Sequence, residues 1–102
     1  MSFEENIKKN NIVLPNAADP VGAYVAAKIV NNLLYISGQI SIDENGKLIK
    51  GKVGQDLNTD QAYKAAERCA LNIAAQAKKA CNNDLSKIKL KYLSFLSRIL
   101  NE

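Results

Sequence analysis

The chain contains no histidine and no tryptophan, and its only thiols are Cys69 and Cys81. Without histidine there is no Cys/His zinc site, no Ser-His or Cys-His nucleophile pair, and no histidine-based cleavage of RNA. Any catalysis must use other groups. The two cysteines read as small apolar packing residues rather than a disulfide, as is usual for sparse thiols in a reducing compartment. Long apolar runs are also missing. Stretches such as Leu33 to Ser37 are broken within a few residues, far short of the roughly 20 apolar residues that a membrane span needs. The opening Met1-Ser2-Phe3-Glu4-Glu5-Asn6 is acidic where a secretory signal would be basic, and no apolar stretch follows it. These absences predict a cytoplasmic protein with no membrane partner.

What is present suits one compact domain: 102 residues, 47% hydrophobic, with 14 basic and 10 acidic side chains. The net charge of +4 raises the question of nucleic acid, and Lys47, Lys50 and Lys52, Lys78 and Lys79, and Lys87, Lys89 and Lys91 form three loose basic groups. Arg68 and Arg98 are the only arginines, however, and asparagine and isoleucine are abundant, a bias that an AT-rich genome produces by itself. Nucleic-acid binders usually add arginine forks or aromatic platforms to a lysine patch. A nucleic-acid partner is therefore not expected.

Residues 1–13 read as a polar lead and residues 14–102 as a single domain, with structure beginning after Pro15 and Pro20. The stretch Tyr24 to Val30 is rich in strand formers, Asn31-Asn32 interrupts it, and Leu33 to Ser37 resumes it. Asparagine tolerates the left-handed conformation that a two-residue type I′ turn requires, so this segment predicts a β-hairpin. Gly38 closes the second strand at a point where a side chain would block a bulge or a close backbone approach. Asn45-Gly46 marks a turn, and a short third strand is expected between it and the Gly51-Lys52-Val53-Gly54 segment. A helix is predicted from about Asn58 to Ala80, with Asn58 as cap and Gln61 completing a capping box. Its small-residue face comprises Ala62, Ala65, Ala66, Cys69, Ala70 and Ile73, continued by Ala74 and Ala77, and Arg68 falls on the polar side. Ile88 to Tyr92 alternates as a strand, whereas the apolar residues from Leu93 to Leu100 suit a helical period better. The element order is β-β-(β)-α-β.

Several of these segments together carry a resemblance. Pro20-Val21-Gly22-Ala23-Tyr24, the hairpin running into Ser37-Gly38-Gln39-Ile40, the helix start Asn58-Thr59-Asp60-Gln61 with Asn72 midway, and Asp84-Leu85-Ser86-Lys87-Ile88 resemble the RidA/YjgF family over residues 14–91. Older labels for this family are endoribonuclease L-PSP and translation-initiation inhibitor. The Gly51-Lys52-Val53-Gly54 and Ala70-Leu71-Asn72-Ile73 motifs are similar to one branch of it.

The resemblance implies an α+β, chorismate-mutase-like fold, a mixed sheet backed by helices, assembled as a homotrimer with ligand clefts between subunits. It implies hydrolysis of 2-iminobutyrate- and 2-aminoacrylate-type imines and enamines to 2-keto acids and ammonia, with no metal or organic cofactor. Tyr24 matches the family's cleft tyrosine, and Ser37, Gly38 and Gln39 match the strand end that lines the site. The family's carboxylate-binding arginine lies in a Pro-Ala-Arg context that neither Arg98 nor Arg68 shares. Nothing after Lys91 follows the family's motifs, so the sequence is expected to be a shortened member with impaired activity, and residues 92–102 are either functional sequence or a frameshift relic. The alternatives are a non-catalytic trimeric module binding small ligands or proteins, and the older endoribonuclease or translation-inhibitor reading.

Overall fold

The computed structural model describes residues 3–19, 22–85 and 88. Structure begins earlier than the prolines suggest. Helix α1, Phe3–Lys9, places Glu4 and Glu5 in its first turn and Lys8 and Lys9 in its last, the arrangement that the helix dipole favours. Glu4 Oε1 accepts a hydrogen bond from the Leu85 amide at 3.2 Å, so this segment is tied to the chain more than 80 positions away.

Strands β1, Ala27–Val30, and β2, Leu33–Ile36, form the expected hairpin in antiparallel register, with Ala27 opposite Ile36 and Val30 opposite Leu33. Asn31 and Asn32 have φ of 49° and 67°, the paired left-handed conformation of a type I′ turn. Opposed residues share a face, so Ala27, Ile29, Leu34 and Ile36 lie on one side and Lys28, Val30, Leu33 and Tyr35 on the other.

The expected third strand is reduced to two isolated bridges, Ile42 with Leu48 and Val53 with Leu57. Local turns dominate this stretch. Asp43 Oδ1 accepts from the amides of Asn45 and Lys47 at 2.9 Å, and Ile49 N donates to Ser41 O at 2.9 Å. The following loop closes on Asp56, whose Oδ2 accepts the Lys52 amide at 2.9 Å. Gly51 is obligatory there: its φ is +143°, and an added Cβ would lie 2.8 Å from Asp56 Cβ.

Helix α2, Thr59–Ala80, has the predicted capping box, with Asn58 Oδ1 accepting from Gln61 N and Gln61 Oε1 accepting from Asn58 N, both at 2.8 Å. It packs on both strands of the hairpin. Its inner face is rotated from the alanine stripe: Ala66 and Ala70 are exposed, while Arg68, Asn72 and Gln76 turn inward beside Ala62, Ala65, Cys69 and Ile73. Ala75, Ala77 and Leu85 are the buried apolar residues among those described. The strand expected at Ile88–Tyr92 and the apolar tail lie outside the described residues, Ile88 excepted.

Candidate functional site

The hairpin brings the sequence-expected site residues to its open end. Ser37 N donates to Ala26 O at 2.9 Å, extending the ladder one step past β2; beyond it the pairing stops, and Tyr24 N donates to Gly22 O at 2.9 Å instead. Gln39 is half-buried and folds back locally, its Nε2 donating to Ser37 O at 3.2 Å and approaching Ser37 Oγ at 3.5 Å. Tyr24 is 48% exposed. Among the described residues, a Cβ placed on Gly38 would meet nothing within 4 Å.

Behind this strand end lies a cavity of about 390 Å³, open to solvent. Its apolar lining includes Leu14, Pro15, Ala18, Ile40 and Ile42, and its polar lining includes Gln39, Asp43, Glu44, Arg68 and Asn72. Gln39 thus belongs to both the strand end and the cavity, whereas Tyr24, Ser37 and Gly38 do not line it.

Three polar side chains of α2, spaced four residues apart, fix the loops around this cavity. Arg68 Nε donates to Ile42 O at 3.1 Å, Asn72 Nδ2 donates to Ile40 O at 2.9 Å and Ile42 O at 3.3 Å, and Gln76 Nε2 donates to Ala18 O at 2.7 Å. Gln76 is only 3% exposed. Loop carbonyls removed from water need donors, and a long or amide side chain supplies them without backbone pairing. The placement of Arg68 on a solvent-facing side of the helix, expected from periodicity, is therefore corrected: its side chain is 16% exposed. The sequence did hold a signal, a polar series Arg68, Asn72, Gln76 at one-turn spacing, which resembles a solvated edge until loops are laid against it.

Charge at the cavity is mixed. Arg68 Nη1 lies 3.7 Å from Glu44 Oε2, and Glu44 is 74% exposed. Cys69, on the neighbouring helix face, is a free thiol, and burial raises its pKa above the ordinary thiol value. A thiol held protonated is a poor nucleophile, in keeping with a packing role. Among the described residues no cluster of His, Cys, Asp or Glu could hold a metal ion, and no helix is long and apolar enough to cross a membrane.

Comparison with known proteins gives this arrangement its place. The family model described as "YjgF/chorismate_mutase-like, putative endoribonuclease" matches residues 4–101. The chain belongs to the YjgF family. The match runs on past Lys91, where the motif-level resemblance stops. Similar solved structures include Atu1372 of Agrobacterium tumefaciens, a protein of unknown function, with 45% identity and a TM-score of 0.67 over 83% of this chain and 50% of that one. A "putative endoribonuclease" of Shewanella oneidensis superposes with a TM-score of 0.79 at 34% identity, over 90% of this chain and 60% of that one. The YjgF/chorismate-mutase-like α+β fold is thereby established. Protein TCP17 of Trypanosoma cruzi is 32% identical over 84 residues, 82% of this chain and 52% of its own length. A RutC family protein of Aquifex aeolicus is 54% identical over 41 residues, 39% of this chain and 33% of its own length. The chain spans about half the length of TCP17 and a third of the RutC family protein.

Proposed function

We propose that this YjgF-family chain takes part in cofactor-independent hydrolysis of small imines and enamines, of the 2-iminobutyrate and 2-aminoacrylate type, to 2-keto acids and ammonia. The observation that carries the reading is the open end of the hairpin. There Ala26, two residues after Tyr24, accepts the Ser37 amide, and Gly38 and Gln39 follow directly, with an exposed phenol and an unobstructed glycine. A phenol both donates and accepts hydrogen bonds, so Tyr24 can orient an imine nitrogen or the attacking water. A second subunit set against this edge would close it into a cleft, and a homotrimer in the cytoplasm is the assembly we propose.

The test is ammonia release from 2-aminoacrylate generated freshly in the assay. We expect a rate above the protein-free control that falls when Tyr24→Phe removes the hydroxyl. Equal rates with and without protein, accompanied by saturable binding of a 2-keto acid, would replace catalysis with the non-catalytic binding reading. Cleavage of RNA, suggested by the descriptions of the family and of the Shewanella protein, is the second reading. It requires acid-base groups other than histidine, and nuclease activity unchanged by Tyr24→Phe and Ser37→Ala would place it outside this edge.

A further inference from the structure

We propose that Asn45 is a site of self-modification, where the side-chain amide is lost as ammonia to leave aspartate or isoaspartate at a rate set by the surrounding turn. This inference stands apart from whether the chain hydrolyses imines. Asparagine amides are among the less durable groups of proteins, and their loss needs an unscreened backbone nitrogen on the next residue. Asn45 is the only asparagine in the sequence that glycine follows. Both residues are exposed, and Gly46 has no side chain to screen its nitrogen.

The chemistry needs only the chain and water. The Gly46 nitrogen, once its proton has passed to solvent base, attacks Asn45 Cγ. A C–N bond forms, the Cγ–Nδ2 bond breaks, and Nδ2 takes a proton from water and leaves as ammonia. Water then opens the five-membered succinimide: attack at Cγ gives aspartate, and attack at the backbone carbonyl gives isoaspartate.

The turn opposes the first of these steps. Gly46 N donates to Asp43 O at 3.0 Å, so the proton that must leave is already engaged. Asp43 Oδ1 holds the amides on either side, those of Asn45 and Lys47, at 2.9 Å, and Asp43 N donates to Lys47 O at 2.9 Å. The nitrogen is released for attack when this set of bonds opens, a local event that costs less than global unfolding. Asp43 thereby controls the rate. The product also disturbs its surroundings. Isoaspartate lengthens the backbone by one carbon inside the turn, and either product adds a negative charge beside Glu44, which pairs with Arg68. Ile42, next to the turn, supplies the carbonyl that Arg68 and Asn72 hold, so the change reaches the cavity wall.

The test is to incubate the whole chain at mildly alkaline pH and locate converted asparagines by peptide mapping with tandem mass spectrometry. A synthetic peptide spanning Ile42 to Ile49 gives the rate without the fold. Asn45 should convert before every other asparagine, faster as pH rises, and severalfold more slowly than in the peptide. Asp43→Ala removes the side-chain acceptor and should bring the rate close to that of the peptide, whereas Asp43→Asn keeps an acceptor oxygen and should stay near the unsubstituted chain. Circular dichroism would show whether Asp43→Ala keeps α2, and the comparison of whole chain with peptide stands without that variant. Conversion of another asparagine first, an intact Asn45 after the peptide has reacted fully, or equal rates in chain and peptide would each overturn the proposal. The ammonia released is at most one molecule per Asn45 and needs no imine, so failure of the hydrolase assay leaves this result untouched.

Discussion

Single residues divide between those that shape this protein through packing and those that act through their polar groups. Arg68, Asn72 and Gln76 are the second kind, and a hydrophobic-period argument misplaces them because it counts apolar atoms while the helix face is chosen partly by carbonyls needing donors. Cys69 is the first kind, read correctly from its place among alanines. Its thiol titrates above the ordinary value because burial penalises the thiolate. The neutral form is thus favoured by the fold. Any contribution to stability is full below the ordinary thiol pKa and is lost as pH rises through the raised one. At pH 8, iodoacetamide should alkylate Cys69 more slowly than it alkylates free cysteine, as peptide mapping by mass spectrometry would show, and equal rates would contradict a half-buried thiol.

At the level of elements, legibility follows the range of the interactions. The hairpin turn and the capping box are short-range chemistry, set by Asn31-Asn32 and by Asn58 with Gln61, and both form as the residues indicate. The third strand does not, because pairing there depends on a partner strand that the local sequence cannot specify, and turn chemistry at Asp43 and Asp56 takes the backbone groups instead. Likewise Tyr24 to Ala26 has strand composition but lies outside β1, which begins at Ala27. The open end of the candidate site is therefore visible in the sequence as a motif, while the cavity behind it is not. The hairpin offers a direct check. Asn32 sits at φ 67°, and a β-branched residue forced into that region loses about 1–2 kcal/mol. Asn32→Val should lower the urea midpoint accordingly, and an unchanged midpoint would mean that the turn contributes nothing to stability.

For the molecule as a whole, the outer face of the hairpin is the dominant feature. Val30, Leu33 and Tyr35 share it and are 43%, 47% and 58% exposed. The inner face is incompletely covered too, since Ile29 is 57% exposed beside α2. Contiguous apolar surface of this kind promotes association. Light scattering at several concentrations should give a mass above that of one chain, and Tyr35→Glu should shift it toward the monomer. A monomer at every concentration would leave the hairpin edge without the second subunit that the proposed cleft requires.

The turns carry one more implication. Asn11, Asn31, Asn32, Asn82 and Asn83 all adopt positive φ, at positions where glycine would fit without strain. Glycine, however, gives the denatured ensemble extra conformations that folding must then remove, a penalty of roughly 0.4–1 kcal/mol per site. Asparagine accepts a little steric discomfort in the native turn and keeps the denatured chain less free. These five residues therefore act on folding from both ends of the equilibrium, and exchanging them for glycine would relax the native backbone while returning entropy to the unfolded state.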